Sequence, residues 1–190
     1  KMKILPTLIL SFITLSAFSQ DNPVEALKQS AKDSYSALGG KPDAYESLKK
    51  AIAEDYDYLE NLYLHYHQNP ELSFYEKETS KRMAEELRKL NFEVTESVGG
   101  YGLVGILENG PGPTLLVRAD MDALPIVEET GKSYASEVTT TDEQGNTVGV
   151  MHACGHDVHM TVWAGTARRL VEMKDQWSGT LLFIGQPAEE

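Results

Sequence analysis

Two short segments of the chain carry residue types that can bind a metal ion and move protons. The first contains Cys154 and His156, a thiol and an imidazole separated by Gly155. Such a pair can bind one ion, and a thiolate favours a borderline cation such as Zn²⁺ over Mg²⁺ or Ca²⁺. The second contains Glu189 and Glu190, adjacent carboxylates that follow an apolar run and a Gln-Pro-Ala turn. Their combination predicts a metal-assisted site.

The paired carboxylates allow a division of roles. Adjacent side chains on extended backbone point in opposite directions, so one of Glu189 and Glu190 can bind metal while the other faces an attacking water. Asp120 and Asp122 follow another apolar run. A carboxylate there can orient a metal-binding histidine from behind, or it can simply cap a loop. Arg118 can pair with either of these two acids.

Other interpretations of the same residues stay open. Cys154 also fits burial as a small apolar residue, or a cysteine nucleophile with a histidine base. None of the local patterns of cysteine proteases is present, which disfavours the nucleophile. His159 follows His156 by one helical turn and can face the same cleft or pack inside the protein. The role of His152 is equally open.

Periodic apolar residues predict three helices, over residues 44–67, 75–90 and 158–173. His65 and His67 close the first helix, and we expect packing or surface roles for them rather than chemistry. The helices alternate with short apolar runs, which indicates an α/β domain.

Four short runs are predicted to be strands. The Gly/Pro-rich turn between the second and third run predicts a hairpin, and the continuous third run is typical of a central strand. Residues 120–150 show no period and are predicted to be a long functional loop. We therefore expect a mixed sheet flanked by helices, with the candidate residues at the carboxyl ends of strands. The four runs are residues 92–94, 103–107, 114–117 and 180–184.

The N-terminus predicts export. Lys1 and Lys3 precede an uncharged, largely apolar run over residues 4–18, and Ala17 and Ser19 supply the small residues that a signal peptidase reads. The apolar run is too short to span a bilayer, although a retained N-terminal anchor is the alternative. We expect a secreted or periplasmic protein with three parts. These are a signal peptide (1–19), an N-terminal helical extension (20–50) and a catalytic segment (51–190).

Composition disfavours two classes of partner. The 190 residues carry a formal net charge of −12, which disfavours binding to nucleic acid or to an anionic membrane surface. No segment after the N-terminal run is long and apolar enough to be a membrane helix. Cys154 is the only cysteine, so an internal disulfide is excluded.

Four segments, in chain order, resemble motifs of the M20 metallopeptidase family. The match is closest to its amidohydrolase branch, which includes hippurate hydrolases, N-acyl-amino-acid deacylases and auxin-conjugate hydrolases. The segments are residues 65–80, which contain Asn-Pro-Glu-Leu-Ser; 118–125, Arg-Ala-Asp-Met-Asp-Ala-Leu-Pro; 151–159, Met-His-Ala-Cys-Gly-His-Asp-Val-His; and 186–190, Gln-Pro-Ala-Glu-Glu.

The resemblance implies the N-terminal half of a zinc-peptidase-like catalytic domain with two divalent metal ions, Zn²⁺ or Mn²⁺. By position in the motifs, Cys154, His156 and Glu190 would be metal ligands and Glu189 the general base toward the attacking water. Asp120 would be the acid that orients a metal-binding histidine without itself binding the metal. The implied reaction is hydrolysis of the amide bond of an N-acyl amino acid or short peptide.

The resemblance also implies features that these residues lack. The family has further histidine ligands after the Glu-Glu pair and a small α/β dimerisation domain, so we expect a longer parent protein that can form a homodimer through that domain. The alternative function is a metal-free binding or scaffold protein on a peptidase fold. Retention of metal by the full-length protein would decide between the two.

Overall fold

The computed structural model describes residues 42–141 and 145–190, together with Lys28, Gln29, Lys32, Asp33 and Ser36. The predicted signal peptide lies outside the described residues. The chain divides into two compact units, Lys1–Glu54 and Asp55–Glu190. In the first unit, helix α1 (Pro42–Glu54) is described. Among the described residues, no helix combines the length and apolarity that a membrane crossing requires.

The second unit is an α/β fold. A single helix is expected over residues 44–67, but in the structure it is interrupted at Asp55. The Asp55 carboxylate forms ion pairs with Arg168 and Arg169. The unit contains α2 (Tyr56–Gln68), α3 (Lys77–Lys89), β1 (Glu93–Val98), β2 (Gly102–Asn109), β3 (Thr114–Asp120), β4 (Thr139–Thr141), β5 (Thr147–Gly149), α4 (His156–Glu172), a 3₁₀ turn (Lys174–Gln176) and β6 (Gly179–Gln186).

The main sheet has the strand order β1-β2-β6-β3. Strands β1, β2 and β6 are antiparallel neighbours, whereas β3 and β6 run parallel. The predicted hairpin between β2 and β3 is wrong, because β6 lies between them. The predicted central position of β3 is also wrong: this strand is at the sheet edge, where Leu115 and Leu116 are half exposed. The mixed sheet itself is confirmed.

One face of the sheet packs against α3 and α4. Alternation along β6 directs Leu181 and Phe183 into this core, while Leu182 and Ile184 on the opposite face are only partly buried. Apolar side chains from both helices fill the space above the strands. They include Met83, Ala84 and Leu87 of α3 and Met160, Trp163, Ala164 and Ala167 of α4.

The segment between β3 and α4 is long and mostly irregular, as expected. Strands β4 and β5 form a small antiparallel hairpin within it. Near its two ends, Leu124 and Met151 exchange backbone hydrogen bonds of 3.0 Å, and the Ala123 N–H donates to the carbonyl of Glu71. These bonds draw the segment back toward the carboxyl end of β3.

Candidate metal centre

The parallel pairing of β3 and β6 brings two of the predicted motifs together. Asp120 lies opposite Gln186 at the carboxyl ends of these strands, and the N–H of Met121 donates to the Gln186 carbonyl at 3.2 Å. The residues that follow each strand therefore leave the sheet side by side. This register places Asp120 near Glu189.

His156 completes a cluster at this edge. It is the first residue of α4, and Gly155 before it has a φ of +82°, the left-handed conformation that glycine adopts readily. The His156 Nδ1 lies 2.8 Å from the main-chain oxygen of Asp122. A carbonyl only accepts, so Nδ1 carries a proton, and in the neutral ring Nε2 is the nitrogen with the free lone pair.

The ligand-type atoms of Asp120, His156 and Glu189 all lie within 4.8 Å of one another. The Nε2 of His156 is 3.8 Å from a Glu189 oxygen and 4.0 Å from a Glu190 oxygen. Two carboxylates beside an imidazole lone pair are a donor set that fits a divalent cation. The cluster thus contains His156, a predicted ligand; Glu189, the predicted base; and Asp120, the acid predicted to orient a metal-binding histidine.

Two further predicted ligands lie beside this cluster. Cys154 is exposed, and its thiol hydrogen-bonds to the Glu190 carboxylate. That hydrogen bond, with the charges of Glu190, Glu189 and Asp122, raises the pKa of the Cys154 thiol. The two predicted ligands therefore contact each other without belonging to the group of three.

Asp122 lies behind His156 and under the Glu-Glu segment. Its Oδ1 is 3.3 Å from His156 Nδ1, and its Oδ2 accepts from the N–H groups of Glu189 and Glu190, each at 2.8 Å. Burial works to raise the pKa of Asp122, but hydrogen bonds from the Glu190 N–H and the Ser73 hydroxyl outweigh it and lower the pKa.

The geometry thus gives Asp122 the contact with His156 that the motif position had assigned to Asp120. The side chain of Asp120 bonds to Arg118 and belongs to the cluster of possible ligands. The residues alone had left both aspartates open, and the family resemblance had then implied Asp120. Residue spacing does not show whether the side chain of Asp120 or that of Asp122 points toward His156 where β3 ends.

A buried ionic cluster lies near the first turn of α4. The His67 Nδ1 lies 2.7 Å from an Asp157 oxygen, and its Nε2 lies 3.2 Å from Glu128. Burial works to lower the pKa of His67, but the hydrogen bonds to Asp157 and Glu128 outweigh it and raise the pKa. His67 therefore joins α2 to α4 and to the long segment that contains Glu128. Sequence reasoning missed Glu128, because nothing in a segment without a period shows that this acid meets His67, which is 61 positions earlier.

The remaining histidines of the motif differ in environment. Both ring nitrogens of His152 are buried without a hydrogen-bond partner among the described residues. Burial lowers the pKa of His152 to about 4, so its ring is neutral at pH 7. The His159 ring lies 5.8 Å from that of His156, on the first turns of the same helix.

Residues 116–190 match the model of peptidase family M20/M25/M40. The chain is similar to thermostable carboxypeptidase 2 of Saccharolobus solfataricus, with 46% identity over 150 residues that cover 78% of this chain and 36% of that protein. It is also similar to N-acetylcysteine deacetylase of Bacillus subtilis, with 40% identity over 126 residues, 65% of this chain and 31% of the relative.

Among solved structures, the chain is similar to a Bacillus subtilis protein described as a dinuclear metal binding peptidase from the M20 family. The TM-score is 0.61 at 38% identity, over 70% of this chain and 35% of that one. The chain spans about a third of the length of the relatives it matches. These similarities confirm the resemblance and the fold class expected from the motifs.

Proposed function

We propose that this chain, whose residues 116–190 are those of an M20/M25/M40 peptidase, supplies part of the active site of a metal-dependent amidohydrolase. The observation that carries the proposal is the group formed by Asp120, His156 and Glu189 at the carboxyl ends of two parallel strands. Two relatives support the reaction class: one is named as a carboxypeptidase and one as a deacetylase of an N-acyl amino acid. The proposed substrate is an N-acyl amino acid or a short peptide.

The proposed cofactor is a pair of divalent cations, Zn²⁺ or Mn²⁺. When bound, such ions acidify a coordinated water and polarise the scissile carbonyl. Cys154, His156 and Glu190 would hold them. His156 is prepared for this role, because its Nδ1–H is occupied by the Asp122 carbonyl and its Nε2 lone pair faces the acids.

Glu189 is the proposed general base. Its side chain is 45% exposed, so that both water and substrate can reach the carboxylate. Its backbone N–H is bound to Asp122, which fixes the start of the side chain while the carboxylate stays accessible. Glu189 would take a proton from the attacking water and pass it to the leaving nitrogen as the amide bond breaks.

The test separates a base from a ligand. In the full open reading frame that encodes this chain, Glu189→Gln should retain metal and lower kcat on the order of 10² to 10⁴, because a positioned base contributes about that much. Glu190→Gln should lower metal content. Glu108→Gln is the control, because Glu108 lies at the end of β2 that is farthest from the cluster, and it should change neither kcat nor metal content. Metal lost from Glu189→Gln and kept by Glu190→Gln would reverse the two roles.

The same protein tests the two rival functions. A metal-free scaffold would purify without stoichiometric metal and hydrolyse no amide. A cysteine nucleophile would be blocked by an alkylating reagent but not by a chelator. For the metal enzyme, we expect chelation to abolish hydrolysis and to speed alkylation of Cys154, since a bound thiolate is protected.

We also propose export and dimerisation for the protein that contains this chain. The support for export is the basic and apolar N-terminal run, with small residues at Ala17 and Ser19. N-terminal sequencing of the protein made by its native host would give a start at Gln20 if the proposal holds. Dimerisation rests on the family resemblance alone, and sedimentation of the full-length protein tests it.

A further inference from the structure

Three consecutive backbone N–H groups in the Glu-Glu segment donate to buried carboxylates. The N–H of Ala188 donates to Glu76 Oε1 at 2.7 Å, and those of Glu189 and Glu190 donate to Asp122 Oδ2 at 2.8 Å each. Neither acceptor belongs to the group of ligand-type side chains described above. Two acids on other segments, Glu76 and Asp122, therefore hold the backbone of residues 188–190, which includes the proposed base and the proposed ligand.

The position of Glu76 needs an explanation that helix capping does not give. Its side chain is fully buried immediately before α3, yet it makes no capping hydrogen bond to that helix. Glu71 makes the capping hydrogen bonds of α3, since its carboxylate accepts from the N–H groups of Glu78 and Thr79 at 3.2 and 2.7 Å. Burying a carboxyl group is costly unless it makes hydrogen bonds. The bond that Glu76 does make to another segment goes to Ala188.

Ala188 is a residue that needs such a bond. Its φ of +50° lies in the left-handed region, which non-glycine residues seldom occupy and leave unless their surroundings hold them. Relaxation of Ala188 to negative φ would rotate the chain that follows. Glu189 comes directly after this residue, so a small change at Ala188 would move the carboxylate that must face the water.

We infer that Glu76 is a positioning residue, which holds the Ala188 turn so that Glu189 and Glu190 keep the orientation that base and ligand require. Asp122 fixes the two N–H groups after the turn, and Glu76 fixes the turn itself. The catalytic part of this inference rests on the proposed function. The conformational part does not, since it concerns the backbone of residues 188–190.

The test compares three variants of Glu76 in the full open reading frame. Glu76→Gln keeps an oxygen acceptor at the same distance, Glu76→Asp retracts it by one methylene, and Glu76→Leu removes it. Glu86→Leu is the matched control, because Glu86 is another buried glutamate of the α3 region, bonded to Arg82 and Lys89 and not to the turn.

Two readouts are measured. Hydrogen exchange of the peptide containing residues 186–190 should be slow in the wild type and in Glu76→Gln, and at least about tenfold faster in Glu76→Asp and Glu76→Leu. Amide hydrolysis should follow the same order. We expect kcat to fall about 10- to 100-fold while KM changes little, because a displaced base impairs chemistry more than binding. Glu86→Leu should lower the melting temperature without changing either readout.

Unchanged exchange in Glu76→Asp would overturn the inference, and so would a Glu76→Gln variant as impaired as Glu76→Asp. If Glu76→Leu does not fold, the comparison of Gln with Asp still decides. A wild type with the expected exchange pattern but no amide hydrolysis would overturn the proposed function and leave the positioning role of Glu76 intact.

Discussion

The carboxylates at the carboxyl ends of β3 and β6 divide into two sets with different tasks. Asp122 and Glu76 are buried and bind backbone N–H groups, whereas Glu189 remains accessible to solvent. Hydrogen bonds from the Glu190 N–H and the Ser73 hydroxyl outweigh burial and lower the pKa of Asp122, whereas burial raises the pKa of Glu76. Burial and the backbone N–H donors, not residue type, distinguish Asp122 and Glu76 from Glu189.

His67 gives a prediction about pH and stability. Its raised pKa means that the ionic cluster contributes stability below the ordinary histidine value of 6.5 and loses it as the pH rises through the raised folded value. Burial works to raise the pKa of Glu128, but hydrogen bonds from Thr130, Ser136 and His67 lower it. The stability that Glu128 contributes is therefore present above its ordinary pKa of 4.5 and is lost as the pH falls through its lowered folded pKa. The cluster should be most stabilising between about pH 4.5 and 6.5.

We therefore expect His67→Gln to lower the free energy of unfolding by about 1 to 3 kcal/mol at pH 5.5, the usual effect of losing hydrogen bonds to charged groups. The difference from wild type should shrink at pH 9. Urea unfolding at the two pH values measures it, with His65→Gln, an exposed histidine of the same helix, as the control. A difference that grows with pH would show that His67 is neutral in the folded protein.

Residue spacing predicted several of the side chains that meet at the carboxyl ends of β3 and β6, but not the residues that hold them there. Cys154, His156 and Glu189 are identified by short-range pattern, since ligands and bases are close in sequence within each motif. Glu76 and Glu128 act through bonds to residues that are 112 and 61 positions distant. Contacts over such separations depend on the packing of whole elements, which one sequence does not specify.

At the scale of elements, the parallel pair β3 and β6 creates the site. The chain leaves β3, makes the long segment and α4, and returns in β6 between β2 and β3. Local apolar runs predicted all these strands and the helix between them. Strand order was wrong because the Gly/Pro-rich turn after β2 resembles a hairpin turn. The pairing is decided by α4, which covers the sheet and returns the chain beside β3.

Gly179 controls where β6 begins. Its φ is +129°, and a Cβ built on it would lie 2.2 Å from the backbone oxygen of Pro113. Gly110 also has a positive φ, +79°, but a Cβ there would meet nothing within 4 Å. We expect Gly110→Ala to cost about 1 kcal/mol, for backbone conformation alone. Gly179→Ala should cost at least about 2 kcal/mol more, because the backbone must also shift. Equal losses in denaturant unfolding would show that the contact at Pro113 relaxes freely.

At the scale of the whole molecule, the described residues of the main sheet end in two edge strands, β1 and β3, and one face of the sheet carries apolar side chains that are only partly buried. Strand β6 is paired on both sides, whereas β3 pairs with β6 alone. Leu115 and Leu116 of β3 are 51% and 52% exposed, and Ile106 of β2 is 39% exposed. An uncovered edge with apolar side chains promotes association between chains.

We therefore predict that a protein consisting of residues 20–190 alone is poorly soluble, binds metal weakly and does not hydrolyse N-acyl amino acids. Three proposed ligands, Cys154, His156 and Glu190, are too few to hold two cations. Replacing Leu115 and Leu116 by Lys should improve solubility, because charge at an edge opposes strand pairing, without restoring activity. Elemental analysis, sedimentation and an assay with hippurate measure the three properties. A soluble monomer of residues 20–190 that holds two metals per chain and turns over substrate would show that these residues complete the site by themselves.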